Sequence, residues 1–425
     1  MTRGHNASTR PAIRPLLAQR VRLVGAALGV PSYRRYSVVQ LISVTGTWMQ
    51  LLAQTWFVVE RNGSGLDLGL LTCIQYLPLL FLGLRAGVLA DQFDRRKIMI
   101  MTQAVSAVTS LLAGLASLTG RLDLVTLYVL AGVLGLATAI ENPARQTLVV
   151  DMVGMSRARS ALGLSGMSLS CGRFIGPALG GLLITSSRQG LGLCFIANSV
   201  SFVLAIIMLL SIPTKKPERP LGGLEPSSDT GTVRAGFRVV LESDVLKKMV
   251  LCMLLVGVLS FNIQVYTPLL VAHGFHRGLQ HLSILTSVVG LGSLVGALLV
   301  AGGMRSSRSA AIGSIGLGVC LCLSGVLRVW PIAVVAFAGV GLFSALFLAS
   351  ANVVLQEEAP EGYRGRVTAF YAFATSGTNP IGAPLMGYVT GSISLLGGFL
   401  IAGSAALIGG AGLLRRPAIE VHHKA

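Results

Sequence analysis

The sequence predicts an all-α membrane protein with twelve transmembrane helices in two pseudo-symmetric six-helix bundles. Three observations carry this. The 425 residues are 53% hydrophobic and only 12% charged, with mean hydropathy +0.74, where a soluble domain carries roughly 25% charge. Apolar runs of about 20 residues, the length that spans a bilayer, recur along the chain. Basic residues cluster on every second connector, which requires an even number of crossings.

The first segment, 36–59, has Gln50 and Gln54 one turn apart and Trp48 close to them in angle. Buried amides need partners, so this face is expected to look into a central cavity. Segments follow at 68–90, 97–119, 124–144, 160–186 and 190–212, completing an N-terminal bundle over 36–212. Residues 213–245 hold Pro213, Pro217, Pro220 and Pro226 with a Ser-Ser-Asp-Thr-Gly stretch, the composition of a flexible linker. A C-terminal bundle, 246–414, then takes segments 246–272, 282–303, 309–329, 331–354, 366–390 and 393–414. Residues 1–35 and 415–425 are expected to be tails. The Arg-rich start, with Arg3, Arg10, Arg14, Arg20 and Arg22, has the composition of a transit peptide too, but Leu23–Val30 is too short to span and no cleavage signal is convincing.

Connectors on one side carry Arg61, Arg121, Arg188, Arg277 and Arg328. The other side carries Arg95, Arg96, Lys97, Arg157, Arg159, Lys215, Lys216, Arg219, Lys247, Lys248, Arg305, Arg308, Arg364, Arg366, Arg415 and Arg416. Lys/Arg bias therefore puts both termini in the cytosol, in a cytoplasmic (inner) membrane. The net charge of +18 follows this topology and forms no single stripe, so nucleic acid is not an expected partner. An internal repeat supports duplication: Arg157-Ala158-Arg159 and Pro177-Ala178-Leu179-Gly180 recur as Arg364-Gly365-Arg366 and Pro384-Leu385-Met386-Gly387, at one offset of about half the chain.

Helix five carries Gly172-Arg173-Phe174-Ile175-Gly176-Pro177-Ala178-Leu179-Gly180-Gly181. Glycines four apart share a helix face and allow close backbone approach, and Pro177 removes a backbone donor. Arg173 lies about 20 Å into the segment at 1.5 Å per residue. It reads either as a contact for an anionic substrate group or as a permanently paired structural charge. Glu141, about 25 Å along helix four, is near the cytosolic face and too far for a direct pair. Gln75, Asn262, Gln264 and Asn379 are further amides expected at the cavity, with helix-to-helix bonding the alternative for each.

The run Gly87-Val88-Leu89-Ala90-Asp91-Gln92-Phe93-Asp94-Arg95-Arg96-Lys97 resembles the signature loop between helices two and three of the major facilitator superfamily. Asp94 stands where that pattern has a second glycine, so the turn needs another geometry. The helix-five run resembles the antiporter motif of drug-efflux members, with Gly172, Gly176, Pro177, Gly180 and Gly181 in place. With Gly46-Thr47-Trp48-Met49-Gln50 and Asn142-Pro143-Ala144-Arg145-Gln146, the chain is similar to the branch of siderophore and macrolide exporters over residues 35–415. The resemblance implies the major facilitator fold, alternating access, proton-coupled export of a small organic molecule, and a monomer with no cofactor. It further implies a conformational latch of Gly87, Asp91, Arg95, Arg96, Glu141 and Arg145. Helix one lacks the mid-membrane acid of many drug exporters, which leaves Glu141 and Glu60 as proton carriers. A nutrient importer or a transport-inactive sensor of the same fold stays open.

Other chemistries are excluded by spacing. The six cysteines lie in apolar segments without CxxC pairs, so disulfides and zinc sites are not expected. Gly163-Leu164-Ser165-Gly166 resembles a rhomboid protease serine motif, but no histidine lies in the membrane core to act as base. His273, His276 and His281 read as a solvated loop, and no phosphate-binding GxxxxGK[ST] loop occurs.

Overall fold

The computed structural model describes residues 26–212, 233–304, 306–360 and 363–414, without the side chains of 83–91, 233–237, 364–366 and 369. After a short turn, Ala26–Gly29, the first half consists of six helices. They are α1 (Pro31–Glu60), α2 (Gly65–Gln92), α3 (Arg95–Leu118), α4 (Leu124–Val153), α5 (Ala158–Ser186) and α6 (Gly190–Leu210). A short helix, α7 (Val233–Glu242), precedes the second half. There the seventh crossing is α8 (Asp244–Leu259) and α9 (Ile263–Leu269), followed by a π turn at Leu270–Gly274. Three unbroken helices follow: α10 (Leu279–Ala301), α11 (Ser307–Val326) and α12 (Trp330–Glu358). The eleventh crossing is α13 (Arg364–Ala372) and α14 (Asn379–Tyr388), each followed by a π turn; α15 (Leu395–Leu414) is the twelfth.

Among the described residues, ten helices are long and apolar enough to span by themselves. The exceptions are α1, polar through Gln40, Gln50 and Gln54, and the interrupted eleventh crossing. Both run alongside the others, so the described residues make twelve crossings. The tails and the first part of the linker lie outside the described residues.

Caps explain several boundaries. Asp94 is the N-cap of α3, its carboxylate accepting from the backbone of Arg96 at 2.9 Å and of Lys97 at 3.4 Å. The turn after α2 is thus ended by a side-chain cap where the family pattern has glycine. Asp123, Ser243 and Ser306 cap α4, α8 and α11 in the same way. Helix four runs nine residues beyond the expected end at 144, to Val153. Its polar run does not terminate it because Arg145 bonds within the helix, to Asn142 Oδ1 at 2.6 Å and to Glu141 at 3.7 Å. Helix one starts at Pro31, in a position where proline lacks no needed donor. The linker is not coil throughout, since α7 holds an Arg238–Glu242 pair at 2.8 Å.

The seventh crossing was expected to be one helix, and it is interrupted at 260–262. Here Asn262 donates from Nδ2 to the Val258 carbonyl at 2.7 Å. The Ser260 hydroxyl donates to the Ala402 carbonyl of α15 at 2.7 Å, while the Tyr266 hydroxyl serves the Ser260 carbonyl. The Val258 and Ser260 carbonyls at the break thereby gain partners, as the hydrocarbon interior demands.

Packing repeats between the halves. In the first half α2 lies on α4, α3 on α4 and α6, and α1 on α5 and α6. In the second, α10 lies on α12, α11 on α12 and α15, and α8 on α14 and α15, which is the same arrangement displaced by six crossings. The halves join where α2 meets α14 and α5 meets α10, with α9 touching α1 and α2. Gly65 and Gly69 of α2 lie against the backbone of Ala383, Gly387 and Gly391 so closely that a Cβ would not fit. This seam is at the face opposite the chain ends. Toward the face bearing the chain ends, α13 finds its partners in its own half, on α12, α8 and α7. The halves are closed on the opposite face and part toward the terminal face. Gly65→Leu should therefore force the halves apart on this face and lower the melting temperature in detergent, whereas the same change at Gly163, which faces open space, should not. Equal melting temperatures for the two variants would refute this closure.

Candidate functional site

At mid-membrane the glycine face of α5 is pressed onto α1. A Cβ on Gly172 would strike Val44 at 2.5 Å, and one on Gly176 would strike the Thr45 carbonyl at 2.6 Å and Trp48 at 2.7 Å. Gly180 faces Met49 and Leu52. The adjoining face of α5 meets the other half. Ser283 of α10 donates to the Pro177 carbonyl at 2.9 Å, Gly181 sits against the Ser283 side chain, and Gly290 lies on the Arg173–Phe174 backbone. The antiporter-like motif is therefore a two-sided seam, gripping α1 within the half and α10 across the halves.

Arg173 projects from this seam at the middle of α5. Its guanidinium carbon lies 4.6 Å from the centre of the Trp48 ring, a cation–π contact. Its Nε is buried with no hydrogen-bond partner, whereas neither terminal nitrogen is both buried and unpaired. No carboxylate among the described residues forms an ion pair with it. Tyr76 of α2 is within electrostatic reach and also lies beside Gln264 of α9, which belongs to the other half. Trp48, Tyr76, Arg173 and Gln264 thus converge from four helices and both halves. Of the two readings of Arg173, the permanently paired structural charge has no partner in the structure.

The remaining amides divide. Gln50 was expected at the cavity, but its Oε1 accepts from Ser110 at 2.8 Å and from Asn198 Nδ2 at 2.7 Å. It knits α1 to α3 and α6, because Gly46 one turn earlier brings α6 close enough to bond. Gln54, Gln75 and Asn262 each hold a buried amide oxygen without a partner. Asn262 is tied to the helix break and packs against Gly382. Asn379 is half-buried at the start of α14.

The expected latch is arranged differently. Arg95 pairs with Asp151 near the end of α4 at 2.5 Å, not with Glu141. Arg96 donates from Nε to the Leu209 carbonyl at 2.6 Å and from Nη2 to that of Leu210 at 2.7 Å, closing the C-terminus of α6. Glu141 is buried beside Gln103 and Tyr36, with Arg145 as its ion-pair partner. The side chains of Gly87 and Asp91 fall outside the described residues. Glu60 is exposed at the end of α1, which removes it as a membrane-embedded carrier. Asp151 lies beyond the apolar run that marks helix four in the sequence, and the longer helix brings it level with Arg95. Tyr76 follows Gln75 in mid-segment, where its phenol is itself a polar signal. The histidines form no metal cluster among the described residues. His281 instead meets Arg277 at 2.6 Å and the edge of Trp330 at the face opposite the termini.

Two bundles parted around a mid-membrane polar site define a multi-pass membrane transporter of the major facilitator superfamily. More narrowly, the chain belongs to the family described as transmembrane secretion effectors, which it matches over residues 26–424. It is 26% identical over 392 residues to the multidrug efflux pump Tap of Mycobacterium tuberculosis, covering 89% of this chain and 92% of the pump. It is 24% identical over 368 residues to the enterobactin exporter EntS of Citrobacter koseri, covering 84% and 85%. Its fold is shared with the nucleoside transporter NupG, with TM-score 0.67 and 13% identity over 90% of this chain and 98% of that one. A bacterial homolog of the human lysosomal transporter Spinster, in an inward-facing unoccupied state, has TM-score 0.67 and 14% identity over 90% and 94%.

The staples in the first half differ in expected weight. Arg95 and Asp151 are partly exposed, so Asp151→Asn should cost less than about 1 kcal/mol. Gln50→Ala strands two buried polar groups and should cost about 1–3 kcal/mol. Thermal unfolding in detergent checks the order; equal shifts would contradict it.

Proposed function

We propose that this protein exports a small organic molecule across the cytoplasmic membrane by alternating access, driven by the proton gradient. The terminal face is then cytosolic, as the Lys/Arg asymmetry requires, and the structure corresponds to the state open to the cytosol. One observation carries the reading most directly. The halves close on each other from the face opposite the termini to the mid-membrane level of Arg173, and the arginine there has no counter-ion among the described residues. Transport then requires one bundle to rock against the other about the α2–α14 and α5–α10 seams. The efflux relatives, similar over most of the chain, support export as the direction.

In this reading each half moves as a unit. Arg95–Asp151 and the Arg96 bonds to α6 hold the cytosolic ends of the first half together. Gly87 and Asp91, in the last turns of α2, form the part of the latch that engages the other half when the cytosolic side closes. Glu141 is the buried carboxylate among the described residues, and it is the group assigned to proton exchange, with Arg145 one turn away as the counter-charge it gains and loses.

Inside-out vesicles containing the protein should accumulate cargo from a panel of dyes, macrolides and siderophores when their lumen is acidic. A protonophore should abolish accumulation, and Glu141→Gln should leave cargo exchange intact while removing the response to the gradient. Accumulation indifferent to the gradient in the wild type would overturn proton coupling. Asp91→Asn should leave folded protein in the membrane and stop net export; normal export by that variant would remove the latch role.

A further inference from the structure

A cation at the centre of a bilayer costs about 3 kcal/mol even on the mildest scale. The Trp48 contact returns about 0.5–2 kcal/mol, so stacking alone does not account for leaving Arg173 without an anion. The compensation has to come from whatever fills the space that its terminal nitrogens reach. Those nitrogens offer a planar fork of donors, the geometry that carboxylates and similar oxyanions accept. One flank of the fork is the Trp48 indole, and the Tyr76 phenol stands nearby on a separate helix. The surroundings are therefore aromatic and positively charged by one unit.

Resting on the exporter reading above, we propose that the site takes a planar aromatic monoanion, with its acid group on Arg173 and its ring against Trp48 and Tyr76. One cation neutralises one negative charge. A dianion such as a phosphate monoester would carry an uncompensated charge into the low-dielectric centre, and a neutral ring would leave the fork unfilled. Gln264 reaches the same place from the second half, so a bound ligand touches both bundles. The Arg173–Phe174 backbone lies on Gly290 of α10, and Ser283 bonds the next turn of α5. Any shift of Arg173 on binding therefore bears on the seam between the halves, which places recognition and rocking on one helix.

The test uses the full chain in phosphatidylcholine nanodiscs and a matched pair of probes, 1-naphthoate and 1-naphthamide, which share a ring and differ in charge. Binding is measured by equilibrium dialysis against empty nanodiscs. The wild type should prefer the naphthoate by about tenfold or more, the scale of a charge-assisted bidentate contact. Arg173→Gln should erase the preference by lowering naphthoate binding to the level of naphthamide, and Trp48→Leu should weaken both probes. Arg173→Gln should keep the wild-type circular dichroism and melting temperature, and Arg173→Lys should recover part of the preference if the fold is disturbed by loss of charge. A preference that survives Arg173→Gln, or a wild type that binds both probes equally or neither, overturns the proposal. The exporter reading fails separately: Arg173-dependent naphthoate binding without net transport of any cargo would sink export and keep the site.

Discussion

Close approach of helix backbones along α5 is the constraint on which the rest of the molecule depends. In hydrocarbon there is no hydrophobic gain from bringing helices together, so packing contacts and backbone proximity must hold them. Gly172, Gly176 and Gly180 let α1 approach until a single methyl group would collide, and Gly290 does the same for α10 from the other side. This sandwich sets the depth and direction of Arg173, brings Trp48 onto it, and joins the two halves at the same level. A bulkier helix would push α1 away and take the indole off the guanidinium. The proline adds to this: its carbonyl is the acceptor that Ser283 reaches from across the interface.

The charges at the terminal face serve cohesion within the first half. Asp94 starts α3, Arg95 ties that start to the end of α4, and Arg96 occupies the last carbonyls of α6. Three helix ends are thus held by consecutive residues of one loop. The partly exposed ion pair contributes modestly, whereas charged donors on helix-end carbonyls contribute more. The loop thereby holds the three helix ends in fixed relation to one another.

The sequence was most readable where its pattern reflects the bilayer itself. Segment length, Lys/Arg alternation and the repeat of Pro-x-x-Gly gave twelve crossings and the correspondence of the fifth with the eleventh. Helix ends were less readable, because in α4 the polar run at 141–145 bonds to itself and so does not act as a stop. The break in the seventh crossing had no signal in hydropathy, since Ser260 and Asn262 find partners that exist only in three dimensions. The site is half legible. Arg173 stands out in the sequence for its depth and Trp48 for its closeness in angle to Gln50 and Gln54, but Gln50 is a buried tie to Ser110 and Asn198. Spacing along one helix reports a shared face; it does not report which neighbour that face meets.

The interruption at 260–262 has a consequence for how the protein is able to bend. A continuous helix resists flexing because its ladder of backbone bonds must be strained or broken. Between α8 and α9 that ladder is already open, its loose groups held by Asn262, Tyr266 and the contact of Ser260 with α15. The short segment carrying Gln264 is therefore a jointed finger on a fixed forearm. Bending there would open no continuous backbone ladder and would trade only the Tyr266–Ser260 bond, while α8 keeps its packing on the twelfth crossing.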